Sequence, residues 1–93
     1  MAEEKLSDET LVKRLKRIEG QIRGIQKMIE EGRDCESIIT QLGAVRSAIE
    51  GVGALMLSNY MKFCFREGSE PKLDNINSLA RAVAIWGRVR VGD

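Results

Sequence analysis

The sequence predicts an all-α fold, three helices in one domain spanning residues 1–93. Three observations predict it. Apolar residues recur at three- and four-residue spacings over long stretches. No segment alternates as a half-buried strand does. The chain holds a single proline, so little breaks its helices. Composition agrees: 43% of residues are hydrophobic and only 4% aromatic, which suits narrow apolar seams between helices rather than a thick aromatic core. A chain this short covers a modest core by itself, so long seams call for further copies of the chain.

The first helix carries the clearest pattern. Leu11, Leu15, Ile18, Ile22, Ile25 and Ile29 follow one another at spacings of 4, 3, 4, 3 and 4, a heptad-like seam. Ser7 or Asp8 caps its start, Asp8 and Glu9 sit in the positive first turn, and Gly32 ends it. The second helix is expected from an Asp34 cap to about Arg66. Its seam reads Cys35, Ile38, Leu42, Val45, Ile49, Val52 and Met56, then Tyr60 and Phe63. Gly43, Gly51 and Gly53 interrupt it, each costing about 1 kcal/mol against Ala in a helix interior, which calls for a close helix contact or a bend. Gly68-Ser69-Glu70-Pro71 reads as a loop. A third helix follows, capped by Asp74, with Ile76, Leu79, Val83 and Trp86 on one stripe and Arg88 and Arg90 near its end.

Net charge is +1, which alone excludes a strongly basic protein, but the charge is unevenly placed. Lys13, Arg14, Lys16, Arg17, Arg23 and Lys27 fall on the first helix with Glu19 as the one acid among them, while acids flank this stretch on both sides. Lys13, Lys16, Arg17 and Lys27 project opposite the apolar seam, with Arg14 and Arg23 on its shoulders and Gly20 and Gly24 between the charges. Such a flat positive surface suits a phosphate backbone. A solvated helix face is the plainer reading of the same residues. No aromatic is interleaved with the charges, which argues against single-strand binding, and the long helices do not form a helix-turn-helix. The acidic start, Met1-Ala2-Glu3-Glu4, is unlike a signal peptide, and the apolar run near Val52–Leu57 is too short to span a bilayer. The expectation is a cytoplasmic protein without membrane contact, in which two cysteines are free, metal-binding or redox-active rather than structural.

Cys35 and Cys64 are 29 residues apart. On one helix that spacing returns both thiols to one face but separates them by roughly 43 Å, whereas a disulfide needs Cα atoms within about 7 Å. Two antiparallel copies of the second helix crossing near Ile49 bring Cys35 of one chain beside Cys64 of the other, twice per dimer. Cys35, in a first helical turn and beside Arg33, is placed as the attacking nucleophile, and Cys64, among Tyr60, Phe63 and Phe65, as the resolving partner. The competing reading is that both are small buried apolar residues. The chain has no histidine, so imidazole-based nickel, cobalt or zinc sites are excluded. Two thiolates alone suit Cu(I). No paired carboxylates or phosphate-cradling loop point to an enzyme or a bound cofactor.

The stretch Leu15-Lys16-Arg17-Ile18-Glu19-Gly20-Gln21-Ile22-Arg23-Gly24-Ile25 resembles the first-helix signature of the copper-sensing operon repressor (CsoR) family of small transcriptional repressors, which includes nickel, cobalt and formaldehyde sensors (the RcnR and FrmR types). Met28-Ile29-Glu30-Glu31 leading to Cys35, and Thr40-Gln41-Leu42 with Ala44-Val45-Arg46, are similar to the family's next segments. The resemblance covers roughly residues 10–86. It implies a three-helix protomer, an antiparallel dimer through the second helix, a homotetramer, and double-stranded operator DNA released on sensing. Its DNA-contacting positions fall on Lys13, Arg14, Lys16, Arg17 and Arg46, and its sensing positions on Cys35, Tyr60 and Cys64. Copper sensors of the family carry histidine where this chain has Tyr60, a poor Cu(I) ligand. Formaldehyde sensors use a proline where this chain has Ala2. The resemblance therefore runs to the CstR-like persulfide sensors, in which persulfides or polysulfides crosslink the two cysteines between subunits. Cu(I) held by Cys35 and Cys64 is the alternative it leaves open.

Overall fold

The computed structural model describes residues 7–65, 70 and 72–88. Three helices account for nearly all of them: α1 over Asp8–Glu30, α2 over Cys35–Cys64 and α3 over Leu73–Arg88. The expected loop at Gly68, Ser69 and Pro71, the expected end of the second helix at Arg66, and Arg90 lie outside the described residues.

Each boundary has a local cause. Ser7 caps α1 by accepting from the Thr10 N–H at 3.1 Å, leaving Asp8 and Glu9 in the positively polarised first turn. The helix closes in a Schellman motif: the Gly32 N–H donates to Ile29 O at 3.1 Å and the Arg33 N–H to Met28 O at 2.9 Å. Gly32 makes this possible by adopting φ +73, a left-handed conformation that costs glycine little. Two residues later Asp34 caps α2, its carboxylate accepting from both the Ser37 N–H and the Ser37 hydroxyl at 2.9 Å. These bonds to the ionised form hold its carboxyl below the usual carboxylate range.

Helix α3 starts differently from expectation. The Ile76 N–H donates to Lys72 O at 3.0 Å, so the helix opens at Leu73 and Asp74 lies inside its first turn rather than capping it. The carboxylate still faces favourable amide dipoles there, but Lys72 occupies the capping position.

The described chain forms two compact units, one from Ser7 to Val52 and one from Gly53 onward. In the first, Leu11, Ile18 and Ile25 are 4–5% exposed and Val45 and Val52 are also buried. The long seam of α1 is split lengthwise. Leu15, Ile22 and Ile29, its other half, are 44%, 42% and 59% exposed. Burying a Leu or Ile side chain contributes about 1.5–3 kcal/mol, so one copy of the chain gains only half of what this seam offers. Leu42 and Ile49 on α2 are exposed as well. Gln21 is half-buried on α1, with its Oε1 shielded and without a hydrogen-bond partner.

The second unit is more open. No residue of α3 is buried, and Val83, Ile85 and Trp86 are among its exposed large side chains. Gly53 explains how the end of α3 meets the C-terminal half of α2: the Trp86 ring lies where a Cβ on residue 53 would be, with Cε2 and Cη2 2.6 Å from that position. The close contact expected for the second helix's glycines is thus found at Gly53, whereas Gly43 and Gly51 have nothing within 4 Å of that position. No described helix is long and apolar enough to cross a membrane.

Candidate functional site

The two thiols open and close α2. Cys35 is its first residue, exposed, immediately after the Asp34 cap; Cys64 is its last and only 3% exposed. Both are free thiols. The Cys64 S–H donates to the Asn75 carbonyl oxygen at 3.6 Å, which ties the end of α2 to the first turns of α3. Tyr60 and Phe63 stack one turn earlier, with ring centroids 6.0 Å apart and planes 11° from parallel. Tyr60 is half-buried.

Among the described residues, no three His, Cys, Asp or Glu side chains gather into a metal site. With two thiols and no imidazole in the chain, its thiolate donors fit a soft, low-coordinate ion only if thiols from two chains are combined. The same pair could form a sulfur bridge under the same condition.

Lys13, Arg14, Lys16, Arg17 and Arg46 are all exposed. The helix of α1 sets Lys13, Lys16 and Arg17 away from the Leu11–Ile18–Ile25 core stripe. Arg14 differs, because it shares a heptad column with the half-buried Gln21 and Met28. It therefore stands at the edge of the packed face, where its stem can be held while its guanidinium reaches solvent.

Sequence reasoning missed two features. The Asn75 carbonyl is a backbone atom, so its approach to Cys64 leaves no mark in residue types. The unpartnered Gln21 oxygen lies on a column beside the apolar repeat, shared with Arg14 and Met28, where residue type alone does not show burial.

The fold defines a small three-helix protein that carries one free thiol at each end of its second helix and exposed basic residues on its first. The model of metal-sensitive transcriptional repressors matches residues 7–84. The copper-sensing transcriptional repressor RicR of Mycobacterium tuberculosis is 46% identical over 52 residues, 56% of this chain and 54% of the relative. The copper-sensing transcriptional repressor CsoR of Bacillus subtilis is 44% identical over 54 residues, 58% of this chain and 54% of the relative. The chain thus spans about half the length of these curated relatives in the matched regions. Among solved structures, the nickel-responsive transcriptional regulator InrS superposes with a TM-score of 0.78 and 34% identity, covering 89% of this chain and 96% of that one. This chain belongs to the metal-sensitive transcriptional repressor, or CsoR, family, a family of regulators rather than of enzymes.

Proposed function

We propose that this chain is a cytoplasmic operator-binding repressor that senses a thiophilic effector through Cys35 of one protomer and Cys64 of another. The family match over residues 7–84 carries the repressor reading. Exposed Lys13, Arg14, Lys16, Arg17 and Arg46 are the proposed phosphate contacts on double-stranded DNA. The exposed halves of the α1 and α2 seams support assembly with further copies: an antiparallel α2 dimer, and two such dimers in a homotetramer. That assembly is what pairs the thiols.

Two effectors fit a pair of sulfurs. Cu(I) is the reading the relatives favour, since RicR and CsoR are both copper-sensing repressors. In this chain it would be held by two thiolates, with Tyr60 beside the site rather than among the ligands. The second reading is sulfane sulfur, favoured by Tyr60 and the lack of any histidine. The exposed Cys35 thiolate attacks a polysulfide, takes one sulfur atom and expels a polysulfide chain shorter by one. Cys64 of another chain then attacks Cys35 Sγ, closes a disulfide and expels hydrosulfide. Two thiols are oxidised, one sulfane sulfur is reduced to sulfide, and the two thiol protons leave with the sulfide or to solvent. Retention of sulfane sulfur between the cysteines would give a longer bridge.

One experiment tests the class and separates the effectors. Operator affinity is measured by fluorescence anisotropy with reduced protein, then with Cu(I), with polysulfide and with sulfide alone, beside intact mass and sedimentation. Copper-specific release without a covalent mass change supports Cu(I). Polysulfide-specific release with a crosslinked dimer supports sulfane sulfur. Failure of the reduced protein to bind operator DNA overturns the repressor reading, and a folded monomer at micromolar concentration overturns the shared site.

A further inference from the structure

Cys64 is the only buried residue among the described residues from Gly53 onward. In this part of the chain Leu73, Val83, Ile85 and Trp86 are all exposed, so a potentially reactive thiol is more enclosed than its apolar neighbours. Part of its cover is α3, whose Asn75 carbonyl accepts the Cys64 S–H at 3.6 Å. An open apolar groove of about 320 Å³ lies beside the same helix pair, lined by residues including Leu57, Met61, Leu79, Val83 and Trp86. Helix α3 therefore covers its apolar side only in part, so less buried apolar area holds it in place than a closed helix contact would supply.

The geometry points to the start of α3 as a gate over Cys64: the thiol reacts only when the contact with Asn75 opens, and any group that replaces its proton keeps that contact open. This rests on the proposed role of Cys64 in sensing. A sulfur bonded to a metal or to another sulfur has no S–H to donate. Its lone pairs then face a carbonyl oxygen, and the added atom needs volume that a 3%-exposed site does not provide. The first turns of α3 must move. Trp86, the single tryptophan of the chain, lies against Gly53 eleven residues after Asn75 and reports that movement.

The test uses full-length Cys35→Ala, which leaves Cys64 as the only thiol, and Ellman's reagent as the probe. Cys64 thiolate attacks the aromatic disulfide, forms a mixed disulfide and expels thionitrobenzoate, whose absorbance gives the rate. The expected rate is about tenfold or more below that of Cys35 in Cys64→Ala, and it levels off at high reagent concentration as opening becomes limiting. Trp86 emission shifts with the same rate constant. Gly53→Ala, which pushes the indole away from α2, speeds Cys64 labelling. Labelling as fast as that of Cys35 and linear in reagent, or labelling that leaves Trp86 emission unchanged, overturns the gate. Operator affinity of the labelled protein, read separately, bears only on whether Cys64 belongs to the sensing site.

Discussion

The Trp86 indole occupies the space that a side chain at Gly53 would need, with ring atoms 2.6 Å from the Cβ position. This relationship reverses the usual effect of replacing a helical glycine. Alanine is favoured over glycine by about 1 kcal/mol in a helix interior, and overpacking costs about 1–3 kcal/mol. At Gly53 the overlap prevails, so Gly53→Ala lowers stability and shifts Trp86 emission. At Gly51, where nothing lies within 4 Å of the Cβ position, alanine raises stability by up to about 1 kcal/mol. Urea unfolding of both variants checks the contrast, and equal shifts of the two midpoints would refute it.

Gln21 offers a second reversal. Its Oε1 is shielded and unpartnered, on a helix whose neighbouring core positions are Ile18 and Ile25. An unpaired buried polar atom costs about 1–3 kcal/mol. Gln21→Leu removes that cost and adds apolar contact, so the thermal midpoint should rise. A lower midpoint at equal secondary-structure content would mean that the amide is satisfied in the assembled protein.

The three helices were legible because their signals are local. Ser7, Gly32 and Asp34 act within four residues of themselves, and the heptad spacing of α1 is a property of the chain alone. Asp74 shows the limit: a good capping residue lies two positions from where the backbone turns helical, because Lys72 O already accepts the Ile76 N–H. The α1 seam was legible as a line, but not as two halves, since periodicity does not say which apolar residues one copy covers. Cys35 and Cys64 were visible as a pair by spacing, yet exposure of one and enclosure of the other depend on tertiary packing.

Asp34 predicts a pH dependence at the start of α2. Hydrogen bonds from Ser37 lower its carboxyl from 3.8. A carboxyl depressed in the folded state contributes stability that is present above its unfolded value and lost as pH falls through the folded one. The first turn of α2, with Cys35 in it, should therefore begin to fray below pH 3.8. Asp34→Asn, which still caps but does not titrate, removes this component. Chemical shifts of the Ser37 and Ile38 amides followed down the acid range check it; the same acid profile in Asp34→Asn would exclude the cap as its cause.

Operator affinity should depend on α1 through charge. Arg14→Ala and Arg17→Ala each weaken binding by about 1 kcal/mol or more, and each lowers the slope of log affinity against log salt by about 1. Arg46→Ala has the same sign. The exposed Glu19→Gln, on the same helix, removes an acid and strengthens binding, which separates a charge effect from general damage to the fold. Variants that bind like the parent across a salt series would identify the basic residues as a solvated surface.

The two cysteines should fail in different ways when replaced. Cys35 is exposed and starts α2, whereas Cys64 is enclosed against α3; in the proposed sensing site the first therefore meets an effector before the second. Under the sulfane-sulfur reading, Cys35→Ala abolishes the crosslink and the loss of operator affinity, whereas Cys64→Ala still gains one sulfur atom on Cys35 but forms no covalent dimer. Mixing the two variants restores one crosslink per mixed dimer, because each chain supplies the thiol the other lacks. Under the copper reading, either replacement removes one of two sulfurs from every site and weakens Cu(I) binding sharply, while the mixed dimer recovers one complete site. Intact mass, denaturing non-reducing gels and a competitive Cu(I) titration of each variant and of the mixture read these outcomes. Full effector response in Cys35→Ala and Cys64→Ala alike would end both thiol readings.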